Sequence, residues 1–512
     1  MLKEIEYQGA GSRAGADDSE RARAIRETTG TWLVRILVVM AVAATVYYFS
    51  WWGRAGRIES VLLAGALLVA GAYHWMQLLV SWCIYLCARR RPDPPRQASD
   101  APSVDVFVTA CNEPYELVER ALRAVTAMRG TFRPWLLDDG EDPRLARLAE
   151  RLGVGYLTRT DRIGAKAGNI NAALRRTDGD VVVIFDLDHA PKPEFLERTL
   201  AHFADPEVGF VQVMLTFENQ GQSWYARAAA ESALDFFNPT SIGMDALGSA
   251  TLIGTNAVVR RKALESIGGY RPGLAEDLAT SIELHAAGWK SVYVAEPLAP
   301  GLAPADTRAW FTQQLKWSRG VFEVLLTAYP RLWPRLTMRQ RMCYAVRTTY
   351  YWIGPVTALH MAFTVGVLLA GEAVARVNLG EYIVHFLPLV ACTLAIRLAA
   401  LWTFRHPSVR MVPLWRAFML IYSSWPIYTL AWFMAVLRVP LEFRLTPKAR
   451  NGRTDWNWLA PQALASAAIA MSLLAALIAG TTPHVEILLG FCVVQALPQI
   501  VLLWHSAKSA AA

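Results

Sequence analysis

The sequence predicts a polytopic α-helical membrane protein with an α/β domain inserted between its second and third membrane helices. Three observations carry that prediction. Of 512 residues, 54% are hydrophobic and only 18% charged, against roughly 25% charged in an ordinary globular chain. Apolar runs longer than the roughly 20 residues that cross a bilayer core flank a central stretch that has none. Charge is also divided: residues 100–320 hold 29 acidic and 23 basic side chains, leaving 14 acidic and 28 basic for the rest. The net charge of +8 therefore resides outside the central domain. A nucleic-acid binder places its basic charge on the folded domain, so no nucleic-acid partner is expected. The apolar content excludes a disordered chain.

The elements follow in order. Residues 1–30 are polar and lack the apolar core of a secretory signal; they read as a cytoplasmic segment. Two membrane helices occupy 31–88, as the runs Thr31–Trp52 and Ser60–Cys87. The basic turn Ala88-Arg-Arg-Arg-Pro92 that follows should stay in the cytoplasm. The soluble domain is assigned to 100–325 and interfacial helices to 326–344. Two more spans fill 345–403, at about 345–370 and 382–403. Another two fill 457–506, at 457–479 and 484–506. The apolar run Trp415–Val439 is long enough to cross. Both its flanks are basic, however (Arg405 and Arg410 before it; Arg444, Lys448, Arg450 and Arg453 after it). Charge asymmetry therefore favours an interfacial or re-entrant helix over 411–439, followed by a cytoplasmic loop over 440–456. Six spans then leave both termini and the soluble domain cytoplasmic. Cys83, Cys87, Cys111, Cys343, Cys392 and Cys492 form no C-x-x-C pair and read as buried small hydrophobes.

In the soluble domain, short apolar runs (Val104–Ala110, Phe132–Leu137, Val154–Thr158, Val181–Phe185) alternate with helical stretches at Tyr115–Met128, 142–152 and 166–176. That alternation predicts βαβ units and a parallel sheet, with ligands beyond the carboxyl ends of its strands. Three strands end in polar clusters: Thr109, Asn112 and Glu113; Asp138 and Asp139; Asp186, Asp188 and His189. Neither G-x-G-x-x-G nor a P-loop occurs at these turns.

Asp186 and Asp188 lie two apart, so at a strand end both can turn toward one ion. Two carboxylates beside an anionic substrate need a hard divalent cation between them, Mg²⁺ or Mn²⁺. Lys166, Asn169 and Asn171 open a helix and suit phosphate and ribose; taken alone, the two asparagines read rather as helix caps. Glu276 and Asp277 begin another helix, as dipole complements or as a general base. Gln313, Gln314, Lys316 and Trp317 offer a base and a flat aromatic face, which also suits a membrane-interface helix.

Taken in order, these segments resemble the family-2 inverting glycosyltransferases, and within them the processive synthases typified by cellulose synthase. Thr109–Pro114 resembles the nucleotide-base turn and Asp138-Asp139-Gly140 the first aspartate motif. Lys166–Asn171 is similar to K-A-G-N-x-N, Asp186-Leu-Asp188 to D-x-D, and Ala275-Glu276-Asp277 to T-E-D. Gln313–Trp317 is similar to Q-x-x-R-W with Lys316 for the arginine. Phe443-Arg-Leu-Thr446-Pro-Lys448 resembles the F-x-V-T-x-K gating loop.

The resemblance implies a GT-A-type, Rossmann-like catalytic domain that polymerises a nucleotide-activated sugar, UDP-glucose foremost, into a β-linked polysaccharide and translocates it. It implies Asp277 as catalytic base beside Glu276. Thr109, Asn112, Glu113, Asp138, Asp139, Lys166, Asn169, Asp186 and Lys316 would meet the donor. Gln313, Gln314 and Trp317 would meet the acceptor, and Phe443, Thr446 and Lys448 would close the site. Asp186, Asp188 and His189 would hold Mg²⁺ or Mn²⁺. The partners implied are a UDP-sugar, the growing polysaccharide, the lipid bilayer of the inner (plasma) membrane and accessory export subunits. No PilZ-like domain is expected after the last span. The alternative is a non-processive family-2 enzyme that glycosylates a lipid carrier. Departures cluster around the sugar and acceptor: Gly254-Thr-Asn-Ala257 replaces a Cys-Gly-Ser motif, and Gln212–Gln220 lacks T-P-H-x-F.

Overall fold

The computed structural model describes residues 13–54, 56–92, 94, 102–371, 374–441, 456–480 and 484–511. In the central domain, β1 (Val104–Ala110), β2 (Arg133–Asp138), β3 (Gly155–Leu157) and β4 (Val181–Asp186) alternate with helices Tyr115–Thr126, Pro143–Arg151 and Ala165–Leu174. β1 runs parallel to β2 and β4, and β2 parallel to β3. β5 (Val208–Val213), β6 (Ala257–Arg260) and β7 (Lys290–Val294) complete a seven-stranded sheet in the order β3-β2-β1-β4-β6-β5-β7. The four strands read from the alternation are parallel as expected, whereas β6, which the alternation did not reveal, is antiparallel to both β4 and β5. Its Ala-Val-Val core is buried on both faces, so strand direction left no trace in the apolar pattern.

Period-2 alternation builds the two layers. Val106 and Val108 pack against Val118, Leu122, Leu145 and Leu148. Phe107 points the other way, onto Ala167, Ile170 and Ala173. Each such buried side chain contributes about 1.5–3 kcal/mol. With helices on both faces, only the strand ends stay open. There Ala110 lies beside Asp138 and Thr109 beside Asp186.

Among the described residues, six helices are long and apolar enough to cross a membrane: Arg21–Trp52, Val61–Cys87, Met338–Ala370, Leu379–Phe404, Ala460–Ala479 and Val485–Ser509. The 415–439 run is two helices, Trp415–Ser423 and Trp425–Val436, bent by 44° at their junction. They rest on helices of the central domain. Tyr428 Oη donates to Gln314 Oε1 (3.0 Å), Trp310 Nε1 to Ser424 Oγ (2.9 Å), and Arg416 pairs with Glu231 (2.6 Å). Leu278 and Ile282 share an apolar cluster with Phe322, Tyr344, Tyr351 and Tyr428. The helix that begins with Glu276 is thereby packed into the membrane region.

All six cysteines are free, as their spacing implied, but burial was overestimated: Cys83 and Cys87 are exposed. A thiol on a membrane helix needs no protein interior, because lipid is apolar too. The second membrane helix meets the central domain where Gly243 passes the backbone of Ile84. A Cβ on Gly243 would sit 2.3 Å from the Ile84 carbonyl oxygen, and backbone cannot yield as a side chain does. Gly243→Ala should therefore lower stability by about 1–3 kcal/mol despite its better helix propensity, read as a lower Tm of the detergent-solubilised chain.

Candidate active site

Four distant segments meet at the open ends of β1 and β4, and Lys166 lies at their centre. Its ammonium is 2.5 Å from Asp186 Oδ1, donates to the Gly254 carbonyl at 2.5 Å, and lies 4.0 Å from Glu276 Oε1. Burial alone would lower the pKa of Lys166, but Asp186 and then Glu276 outweigh it and the pKa is raised. Lys166 therefore stays charged in a site that excludes most water.

The backbone brings Lys166 there by a sharp approach. Gly164 (φ +78) and Ala165 (φ +45) are both left-handed. A Cβ on Gly168 would meet the Ile163 carbonyl oxygen at 1.9 Å and Arg159 Nη1 at 2.5 Å. Arg159 anchors this loop: it binds Asp139 through two bonds of 2.7 Å and donates to the carbonyls of Ile163 and Ala165.

Glu276 and Asp277 face the same point from the start of helix Glu276–Ala286. A Cβ built on Gly254 would stand 3.6 Å from both Asp277 Oδ2 and Lys166 Nζ, and 3.7 Å from Glu276 Oε1. Burial and then Asp277 push Glu276 up to about 7, against Lys166 and Lys316. Burial likewise raises Asp277, opposed by the Leu278 amide that donates to its Oδ1 at 2.7 Å. Both carboxylates thus hold a proton more tightly than a free carboxylate does, beside a cation, which brings them toward the range that proton transfer at ordinary pH requires.

Several expected donor ligands are engaged within the domain. Asp138 is fully buried; its oxygens accept from the Gly140 and Asp142 amides and from Tyr156 Oη. Asp139 is paired with Arg159. Asn169 is buried and donates to the Leu137 carbonyl; Asn171 brackets the Tyr270 backbone. They are neither caps nor exposed ligands: both staple their helix to neighbouring backbone. Glu113 accepts from the Cys111 amide, closing the turn that Asn112 enters at φ +62. Thr109 Oγ1 reaches Asp186 Oδ1 at 3.4 Å.

The expected metal trio is also corrected. Among the described residues no three His, Cys, Asp or Glu side chains stand close enough to hold an ion. His189 is buried, its Nδ1 against the Ala299 carbonyl (3.1 Å) and Asn256 (3.3 Å), its ring against Gly301. It supports the loop from behind. Asp186, 38% exposed at its side chain, and half-buried Asp188 remain. Two carboxylate oxygens at a strand end suit a hard cation whose other ligands come from phosphates.

Of the acceptor residues, Trp317 is 39% exposed while Gln314 is buried and committed to Tyr428; Gln313 is half-buried. Lys316 lies close enough to lower the pKa of Glu276. Phe443, Thr446 and Lys448 lie outside the described residues. Sequence reasoning missed Arg159, and saw in Gly254–Asn256 only a departure. In fact Gly254 receives Lys166, Thr255 Oγ1 accepts the Asp186 amide, and Asn256 (φ +53) holds the Ala299 carbonyl. A glycine and an asparagine two residues apart were the available signal for such a left-handed turn; a lone arginine carries none.

Residues 101–320 match the family described as glycosyltransferase like family 2, and residues 265–459 match the family described as cellulose synthase. Over residues 101–459 the chain is therefore similar to the cellulose synthase-like family-2 glycosyltransferases. It is 30% identical over 351 residues to the cellulose synthase catalytic subunit [UDP-forming] of Xanthomonas axonopodis pv. citri, covering 65% of this chain and 48% of that one. It is 28% identical over 386 residues to the protein of that name from Pseudomonas fluorescens, covering 71% and 51%. The chain spans about half the length of the curated relatives it matches. Its fold is also that of the mannosyltransferase PcManGT from Pyrobaculum calidifontis, solved in complex with GDP-Man and Mn²⁺, at 19% identity and a TM-score of 0.50 over 66% of this chain and 97% of that one. This likeness supports the GT-A-like sheet.

The buried Asp139–Arg159 pair offers a test of the site's scaffold. Arg159→Met leaves Asp139 buried without its partner and should cost about 3–5 kcal/mol, measured by thermal unfolding of the purified chain.

Proposed function

We propose that this protein is a processive inverting glycosyltransferase, drawing sugar from a nucleotide donor, UDP-glucose foremost, and passing a β-linked polysaccharide through its membrane helices. The single observation that carries the reading is the convergence of Lys166, Asp186, Glu276 and Asp277 at one point from separate segments. The relatives' names, which state UDP as a product, support the donor class.

Asp277 takes the proton of the acceptor hydroxyl as its oxygen attacks the anomeric carbon, and a single displacement inverts that centre. Leu278 holds Oδ1, which leaves Oδ2 to accept the proton. Lys166 and Lys316 supply positive charge to the departing diphosphate. Asp186 and Asp188 would hold Mg²⁺ or Mn²⁺, which when bound acts as a Lewis acid for the leaving group. Trp317 stacks on the acceptor sugar.

Buried amides in the membrane region favour a polymer path. Gln462, Gln495 and Gln499 lie inside the last two membrane helices, and Oε1 of Gln462 and of Gln495 has no partner among the described residues. Sugar hydroxyls would satisfy such groups, which are costly in an apolar setting. The arginines that flank the domain end of the helices support a cytoplasmic domain in the inner membrane, with 411–439 lying at that interface.

Asp277→Asn should lower transfer by roughly 100- to 10,000-fold while UDP binding, read by calorimetry, persists. The wild-type rate should fall with decreasing pH from a point above the range of a free carboxylate, because burial raises the pKa of Asp277 and the base is protonated earlier.

The product decides between polymer and lipid carrier. Membranes given radiolabelled UDP-glucose should make ethanol-insoluble polymer, lost on chelation and restored by Mn²⁺ or Mg²⁺. An organic-extractable product would overturn the processive reading.

A further inference from the structure

A cavity of about 640 Å³ opens where the first membrane helix, the basic turn after the second and the end of β7 come together. None of its lining residues belongs to the Lys166–Asp277 cluster. Six arginines line it (Arg21, Arg23, Arg89, Arg90, Arg91 and Arg198), with only three acids, Glu27, Asp245 and Glu296. Each acid already has an arginine: Glu27 with Arg90 at 2.8 Å, Asp245 with Arg91 at 3.4 Å, and Glu296 with Arg198. Arg21, Arg23 and Arg89 have no acidic partner among the described residues.

Arg90 ties the three walls together. It pairs with Glu27 of the first helix and donates to the Ala295 carbonyl after β7 and to the Phe404 carbonyl of another membrane helix. The excess charge is felt nearby. Burial, and then Arg90, Lys192, Arg23 and Arg26, hold His406 down at about 4. The opposite end of the same helices is balanced: Arg57 pairs with Glu381 at 2.9 Å and Arg376 with Glu59 at 2.7 Å. Basic flanks that only orient the spans need no walled cavity; guanidiniums gathered around one do need an anion.

We propose that this cavity binds a phosphate-bearing anion, and that its place at the polar ends of the first two membrane helices favours the phosphodiester headgroup of an acidic lipid. Guanidinium forks suit phosphate oxygens, and anionic headgroups concentrate basic side chains at this depth. A bound headgroup would join the first membrane helix to the edge of the catalytic sheet.

The test uses the full chain, delipidated in detergent, with phosphatidylglycerol or inorganic pyrophosphate as probe. Native mass spectrometry counts bound lipid, and thermal unfolding reports protection by either probe. Arg21 and Arg89 are exposed, so R21Q/R89Q should fold. It should bind phosphatidylglycerol roughly tenfold or more weakly than wild type, the loss expected from two charge-assisted contacts, and R21K/R89K should restore most of the binding. Protection by phosphatidylglycerol and not pyrophosphate assigns a lipid source; protection by pyrophosphate assigns a soluble phosphate. Equal lipid binding by wild type and R21Q/R89Q, with no protection by pyrophosphate, overturns the site.

Discussion

The desolvated ammonium of Lys166 is the contact on which the site depends. A buried lysine is stable only when acids and carbonyls surround it, and here they come from β4, the Gly254 turn and the helix starting at Glu276. The same positive charge opposes the rise in pKa that burial imposes on Glu276 and Asp277. One cation therefore gathers the cluster and moderates the proton affinity that burial gives its carboxylates. The left-handed approach at Gly164 and Ala165, the close contact at Gly168 and the Arg159 anchor all serve to deliver it.

The second constraint is continuity between chemistry and membrane. The helix bearing Glu276 and Asp277 is packed through Leu278 and Ile282 onto Tyr344, Tyr351 and Tyr428. The helix Thr307–Leu326, which carries Lys316 and Trp317, is fastened to the bent 415–436 pair by Gln314–Tyr428 and Trp310–Ser424. Gln314 acts as a joint where an acceptor ligand was expected. The carboxylates of the cluster and the membrane helices are thus adjacent parts of one core.

Much of the fold was legible because it rests on local periodicity. Apolar runs of bilayer length identify the spans, and alternating short strands identify β1 to β4. The antiparallel β6 escaped because Ala257–Val259 is apolar on both faces. The site was legible in its motifs but only partly in its roles. Asp186, Lys166, Glu276 and Asp277 do converge, whereas Asp138, Asp139 and Asn169 turn inward, and His189 backs the loop it was expected to leave. An aspartate that binds a ligand and one that binds its own turn are the same letter; only the direction of the carboxylate separates them.

The sequence by itself determined the architecture and the family resemblance, because hydropathy, charge asymmetry and motif order are written along one dimension. Tertiary structure alone decided which polar side chains are occupied. Arg159 neutralises Asp139 across 20 residues, and Lys166 meets Gly254 across 88. The gathering of arginines from residues 21–23, 89–91 and 198 around one cavity was equally invisible. Burial strengthens electrostatics over a few ångströms, and chain spacing says nothing about which groups folding will bring that near.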